Sequence, residues 1–265
     1  PSWQKLDALH ATFVDVGHGT SVLVEMPEGE KYLYDCGRLG NYEGSSRGIE
    51  DVLWSRGLTR LDAVILSHAD SDHYNSLPGV LERFAIDEVV IPPGLFNKPS
   101  PSLATLHQQI QAASIPIRVV CLDDKHVDVN QHLQILHPPR IRVSGSDNAN
   151  SLVLRIDFAG TSLLLPGDLE PPGTELLVNQ PRPRAGGVLM APHHGSLTAD
   201  SATIIDWSRP RVVIVSGGDR ARRPEVAESL QTRGSDVLVT PISGAIRVII
   251  DDQQTRVDQY LKQSW

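Results

Sequence analysis

Cysteine is nearly absent: the 265 residues hold two, Cys36 and Cys121. Two thiols support neither a disulfide framework nor a thiolate zinc site, and whether they pair or are simply buried stays open, as does the redox compartment. Long hydrophobic runs are missing as well. No apolar stretch approaches the ~18 residues of a membrane span, so this segment is not expected to insert into a bilayer. Basic residues are outnumbered, 24 Lys and Arg against 32 Asp and Glu, for a net charge of −8. That balance works against general polyanion binding, because phosphate-tracking surfaces carry an excess of Lys and Arg. The chain starts Pro1-Ser-Trp-Gln, with neither an initiator Met nor a basic-then-apolar leader, which suggests an excised domain or a processed chain. Low-complexity tracts and exact repeats are also missing. What is there, 40% hydrophobic and 21% charged residues, is a globular composition with length enough for a full core. We read residues 1–265 as one domain.

Apolar patterning predicts strands over 9–16, 21–26 and 31–35, the last two joined by the turn Pro27-Glu-Gly-Glu. Further strands are expected over 61–66, 86–91, 117–121, 132–136, 151–158, 161–165, 188–191, 212–215, 237–239 and 245–250. Helical spacing marks 48–56, 77–84, 103–113 and 224–232, with an irregular Pro-rich stretch at 92–101. Strands outnumber helices and mix hairpins with crossovers. Two mixed sheets covered by helices on both outer faces is the natural packing, an αββα sandwich of class α/β.

The densest chemistry lies in His68-Ala-Asp70-Ser-Asp72-His73, four potential metal ligands in six residues, directly after the apolar run Leu61-Asp-Ala-Val-Ile-Leu66. In an extended segment His68, Asp70 and Asp72 face one way, and the adjacent Asp72 and His73 diverge toward two centres. That register suits two metal ions about 3.5–4 Å apart sharing one water-derived nucleophile. Three other strand ends carry matching residues: Val14-Asp15-Val-Gly17-His-Gly19, Leu165-Pro-Gly-Asp168, and Met190-Ala-Pro-His193-His194-Gly195-Ser196. Residues just past strand ends are where α/β proteins place their sites. His10, His107, His126, His132 and His137 lie in no motif and are read as surface or structural.

Taken together, these motifs resemble the metallo-β-lactamase-like hydrolase superfamily, whose signature is HxHxDH; here Asp70 stands in the place of the second His. The phrases Phe13-Val-Asp-Val-Gly17, Leu61-Asp-Ala-Val-Ile-Leu-Ser-His68, Asn150-Ser-Leu-Val-Leu-Arg155, Leu165-Pro-Gly-Asp-Leu-Glu170 and His193-His-Gly-Ser196 narrow the likeness. They are similar to the soluble hydrolase domain of ComEC-type DNA-uptake proteins. Departures are also plain. That branch carries Gln and Asp where this chain has His18 and Thr20, small residues where it has Tyr74 and Asn75, and His-Pro and Thr-Asp where it has Arg223-Pro224 and Thr240-Pro241. They surround the ligands without deleting them, and so bear on substrate choice more than on metal binding.

The resemblance implies an αββα metallo-β-lactamase-like sandwich, excised from or related to a larger membrane protein, with a dinuclear site at the edge between its sheets. Carried over residue by residue, His68 and Asp70 hold the first ion, Asp72 and His73 the second, Asp168 bridges, and His193 completes the second site. Superfamily members add one His before the strand at 151–158; this chain reads Ser146-Asp147-Asn148-Ala-Asn150, so Asp147 or Asn148 supplies an oxygen or the position stays open. Asp15 is expected to orient a metal-bound imidazole from behind. His194, on the opposite face from His193 in an extended segment, is expected to donate a proton, with Asp72 and His194 the catalytic pair. Two divalent ions are implied, Mn²⁺ or Zn²⁺ with Mg²⁺ also admitted, because oxygen ligands harden the first site.

The implied activity is a phosphodiesterase that hydrolyses DNA, single strands above all, by metal-activated hydroxide during DNA uptake. Arg220, Arg222 and Arg223, with Arg182 and Arg184, are the residues available for a phosphate path. A transmembrane channel domain of the same protein is the implied partner, on the extracytoplasmic face of a bacterial inner membrane; otherwise the chain is cytoplasmic. Two other readings stay open: a stand-alone hydrolase of a small ester, lactone or cyclic phosphate, and a metal-free binding module on the same fold.

Overall fold

Alternation within single strands sets the layers. Val22 and Val24 enter one apolar cluster while Leu23 between them enters another, and Tyr32 and Tyr34 divide in the same way from Leu33. Ala63 and Ile65 face Val64 across their strand likewise, as Leu163 and Leu165 face Leu164, and Val188 and Met190 face Leu189. Strands buried on both faces read as continuous apolar runs, which is why these segments look uniformly hydrophobic in sequence. The computed structural model behind this description covers residues 6–40, 46–124, 132–231 and 234–261. Residues 1–4, His126 and Thr232 lie outside them.

The first sheet runs Thr255–Gln259, Ile246–Ile250, Leu9–Phe13, Val22–Glu25, Lys31–Tyr34, Ala63–Ile65, Val89–Ile91, Ile117–Val119. The second runs Asp236–Val239, Val212–Val215, Val188–Met190, Thr161–Leu165, Val153–Phe158, Leu133–His137. Both are mixed, hairpin-connected on one side and parallel on the other. One cluster fills the space between them. A second packs the first sheet against helices Arg47–Ser55, Leu77–Leu81 and Pro101–Ala112 through Ile49, Leu53, Val80, Leu103 and Ile110. A third packs the other sheet against Gly173–Val178, Ser201–Ser208 and Pro224–Gln231 through Leu177, Ile204, Trp207 and Leu230. The result is an αββα sandwich. Among the described residues no helix is long and apolar enough to cross a membrane. Cys36 and Cys121 are both buried and are not joined to each other.

The parallel strands of both sheets end at one edge, and there the two sheets are tied. The Leu152 N–H donates to the Ser67 carbonyl at 2.8 Å, and Tyr34 Oη donates to the Leu152 carbonyl at 2.7 Å. Every motif singled out above comes off this edge.

Several elements differ from expectation. The run 61–66 is not one strand: Arg60–Leu61 pairs with Ala85–Ile86, and Ala63–Ile65 joins the first sheet. Asp62 makes the break, its carboxylate accepting the Lys31 N–H at 2.7 Å while its own N–H donates to the Lys31 carbonyl at 2.9 Å. Helices Gly173–Val178 and Ser201–Ser208 are too short to show a period in sequence. The edge strand Thr255–Gln259 was not expected either; it returns over a turn in which Asp251 Oδ1 accepts the N–H groups of Gln253 and Gln254, each at 2.8 Å.

His137, at the end of its strand, is a buried neutral imidazole: Nδ1–H donates to the Ser151 carbonyl at 2.9 Å and Nε2 has no partner among the described residues. Burial lowers its pKa from 6.5 to about 4. A depressed imidazole contributes stability above the ordinary value and loses it as the pH falls toward the folded one. Thermal unfolding should therefore show stability declining between pH 6.5 and 4, by about 3 kcal/mol from this residue at ~1.4 kcal/mol per unit. His137→Gln should flatten the decline; an unchanged pH profile in that variant would show that other groups cause it.

Candidate metal centre

The centre is built around a carboxylate whose oxygens are engaged by protein donors. Asp35 follows the Lys31–Tyr34 strand in a left-handed conformation (φ 55°) and is fully buried. Its Oδ1 accepts the Ser67 backbone N–H at 2.7 Å, and its Oδ2 accepts the Ser67 hydroxyl and His73 Nδ1–H, each at 2.7 Å. Because the single Ser67 hydroxyl proton is committed to Asp35, Ser67 Oγ receives Nδ1–H from His68 at 2.9 Å. Across the site, His194 Nδ1–H donates to the Ser216 carbonyl at 2.8 Å. With Nδ1 so engaged, all three imidazoles turn Nε2 inward. His68 Nε2 is buried with no hydrogen-bond partner among the described residues, and His73 Nε2 is buried against Asp168.

Those nitrogens meet carboxylates. His68, His73 and Asp168 form one group with ligand atoms all within 4.8 Å of one another, and His18, Asp72 and His194 form a second. Asp168 joins the two: Oδ1 lies 3.1 Å from His73 Nε2, and Oδ2 lies 3.5 Å from His194 Nε2 and 3.8 Å from His193 Nε2. Asp72 Oδ2 lies 3.2 Å from His194 Nε2, and Asp70 Oδ2 is 3.6 Å from His68 Nε2. Ligands about 2.1 Å from a tetrahedral ion stand about 3.4 Å from one another, close to these separations. The donor set, imidazole nitrogen and carboxylate oxygen, fits a divalent metal. Gly167 gives the second sheet its close approach: a Cβ there would stand 2.9 Å from that of Ser67.

Electrostatics are steep. Burial disfavours charge on both His73 and Asp168, yet each outweighs it in the other: the Asp168 and Asp35 carboxylates raise His73 well above its ordinary pKa, and His73 and His194 hold Asp168 well below the carboxylate range. Burial likewise pushes Asp72 up, and contacts with His18 and His194 bring it far down. In the metal-free protein, protons on the imidazoles balance the carboxylates, and a divalent ion must displace them.

Expected site residues fall as follows. His68 and Asp70 lie side by side, with the Asp70 side chain 51% exposed. Asp72 and His73 do not share a group. Asp70 caps the helical turn Ser71–Tyr74 instead of continuing an extended segment, so Asp72 and His73 splay by about 100°. His73 goes to His68 and Asp168, Asp72 to His194. Nor is the His193-His194 pair extended: both are left-handed (φ 49° and 53°), and strand alternation does not apply. His194 is the buried one, turned toward Asp72 and Asp168, while His193 is 31% exposed, 3.8 Å from Asp168 and 3.7 Å from Glu170. Asp15 is exposed and accepts the Gly17 N–H at 3.4 Å; the carboxylate behind the imidazoles is Asp35. Asp147 is exposed and paired with Arg142 at 2.5 Å, Asn148 opens the short turn Asn148–Asn150, and neither belongs to the two groups.

Sequence reasoning passed over Asp35, Ser67 and His18. Asp35 carried one signal, an Asp just past a strand and before Cys-Gly, like Asp15 and Asp168. His18 stood inside a singled-out motif. A cavity of about 610 Å³ opens beside the second group, lined by His18, His193, His194, Arg220 and Arg223. Arg222 instead pairs with Asp219 at 3.3 Å, and Arg182 and Arg184 line a separate cavity at the Ala159-Gly160 hairpin tip.

A profile of the metallo-beta-lactamase superfamily matches residues 14–219. ComE operon protein 3 of Bacillus subtilis is 28% identical over 254 residues, 88% of this chain and 32% of that protein. Competence protein ComA of Neisseria gonorrhoeae is 29% identical over 245 residues, 89% of this chain and 31% of its own length. The chain thus spans about a third of these relatives. Among solved structures, the metallo-beta-lactamase fold protein YhfI of Bacillus subtilis superposes with a TM-score of 0.54 at 12% identity, over 87% of this chain and 96% of that one. A diphosphatase of the PhnP family gives 0.51 at 15% identity, over 86% and 94%. Those two likenesses are of fold.

Metal uptake by chelator-stripped protein should release protons, seen as a buffer-dependent heat in calorimetry, and should tighten as pH rises because the raised His73 must deprotonate. Asp35→Asn should weaken Mn²⁺ binding by roughly 10–100-fold with the circular dichroism spectrum retained. Unchanged affinity in that variant would remove Asp35 from the centre.

Proposed function

The chain belongs to the metallo-beta-lactamase superfamily, and from that premise we propose that it is a phosphodiesterase that cuts DNA, single strands by preference, with two divalent ions, Mn²⁺ or Zn²⁺ before Mg²⁺. The observation that carries this reading is Asp168, whose two oxygens face Nε2 of His73 and of His194 beside a cavity lined by Arg220 and Arg223. Support for DNA comes from the relatives named for competence and from the resemblance to ComEC-type DNA-uptake proteins. A transmembrane channel domain of the same protein is the partner proposed with it.

His68, Asp70 and His73 would hold an inner ion and Asp72 with His194 an outer one, Asp168 reaching both. When bound, such a pair supplies Lewis acidity and brings the pKa of water toward neutrality. The chain's own residues do the rest. Asp35 and Ser67 keep His68 and His73 in the ligating tautomer. His193, half-open to the cavity with Glu170 3.7 Å away, would protonate the departing oxygen. Arg220 and Arg223 receive phosphates flanking the scissile one. With net charge −8 the phosphate contacts are few, so the salt dependence of binding should be shallow, about 0.7–0.9 per contact in log–log slope.

Asp168→Asn should lose metal and activity together, by elemental analysis and DNA degradation; near-native values for both would end the bridging role. His194→Ala should lose the outer ion, whereas His193→Ala should keep both and lose roughly 10²–10⁴ in rate. Metal loss confined to His193→Ala would restore the opposite assignment. Replacing Arg220 and Arg223 together should raise KM for DNA and spare a small chromogenic phosphodiester. Should Mn²⁺-loaded protein leave single- and double-stranded DNA intact while hydrolysing a lactone or small ester, the nuclease reading falls to that alternative.

A further inference from the structure

We propose that His18 is a ligand of the outer ion, so that this position is held by two imidazoles and one carboxylate, His18, His194 and Asp72, with Asp168 behind them. The proposal rests on the two-ion reading above and adds to it a residue that selects the metal.

The geometry converges on one oxygen. Asp72 Oδ2 lies 3.2 Å from His194 Nε2 and 3.3 Å from His18 Nε2, and the three ligand atoms all fall within 4.8 Å of one another. The two rings stand 4.7 Å apart, tilted at 44°, so they meet neither stacked nor edge-on. With Nδ1–H given to the Ser216 carbonyl at 2.8 Å, His194 turns Nε2 to Asp72. Two imidazole Nε2 atoms thus converge on one carboxylate oxygen, where a divalent ion takes the place of the protons that otherwise balance it.

His18 is also fixed there by its backbone. Its carbonyl accepts the Leu39 N–H at 2.6 Å, the neighbouring Gly19 carbonyl accepts the Ser216 hydroxyl at 3.0 Å, and Thr20 N–H donates to the Asp72 carbonyl at 3.1 Å. The segment carrying His18 is thereby bonded to the residue that anchors His194 and to the residue that supplies the carboxylate. Gly218 completes the fit: a Cβ there would stand 3.0 Å from the His18 backbone nitrogen and 3.1 Å from its Cβ. An imidazole free to choose its place would need none of this. With its side chain 36% exposed and lining the cavity of about 610 Å³, His18 closes the outer position on the substrate side, whereas His68 and His73 are buried.

The consequence is chemical. Asp70 gives the inner position an oxygen, and His18 gives the outer one a second nitrogen. Nitrogen donors favour Zn²⁺ and Co²⁺ over Mn²⁺, so His18 sets a borderline-metal preference at the outer position.

The test titrates metal-free protein with Co²⁺ alone, following ligand-field absorption together with bound metal by elemental analysis. Wild type should take up two Co²⁺ in two steps. His18→Ala should leave the inner step unchanged, which also reports the fold, and should change the ligand-field spectrum of the outer step. That step should weaken at least as much as the ~10–100-fold that follows loss of an outer-shell partner. His18→Gln, in competition, should move the outer position from Zn²⁺ toward Mn²⁺. Both steps and the spectrum unchanged in His18→Ala, with two ions still bound, would overturn the assignment and leave the two-ion reading standing. A wild-type protein that binds a single Co²⁺ would bring down that reading, and His18 with it.

Discussion

A fully buried carboxylate holds this molecule's chemistry in place. Asp35 accepts three donors at 2.7 Å, and through them it orients His73 directly and His68 by way of Ser67. An uncompensated charge at such a depth costs several kcal/mol, so the three donors are obligatory to folding as well as to the site. Ser67 extends the constraint across the sandwich, because its carbonyl receives the Leu152 N–H from the opposite sheet. The positions of the two sheets and the tautomers of two imidazoles are therefore settled by one hydrogen-bonded knot.

This knot explains what the sequence displayed and what it concealed. Strand and helix positions followed from apolar spacing, because each strand divides its residues between two clusters, and the αββα layering followed from their order. The cluster His68–His73 showed itself by ligand density. The helical turn inside it did not, since four residues are too few for a period; the divergence of Asp72 and His73 toward two centres, expected from an extended segment, is made by that turn instead. The left-handed pair His193-His194 was equally hidden: a strand end followed by Pro gives no sign that two non-glycine residues will take positive φ. Asp35 and Asp15 look alike on paper, each an Asp beyond a strand. Only the packing of the sheets makes one a buried acceptor and leaves the other in solvent.

Charge distribution resolves an apparent conflict between a net charge of −8 and the polyanionic substrate proposed above. Three of the acidic residues, Asp70, Asp72 and Asp168, face the proposed ion positions, where divalent cations would offset them. Of the arginines available for a phosphate path, Arg220 and Arg223 line the cavity beside the two ligand groups, while Arg182 and Arg184 line another. Recognition of this kind would be local, set at the scissile group and its neighbours, and it needs no basic stripe.

The turn at His193, His194 and Gly195 places three successive residues at φ 49°, 53° and 76°. Only glycine occupies that region without steric cost, and each other residue gives up about 1–2 kcal/mol there. Glycine at either histidine would relax the backbone while discarding the imidazole, so stability and chemistry pull in opposite directions at these two positions. A lineage that no longer needed the reaction would be expected to lose its histidines here first, and to become a sturdier protein for it.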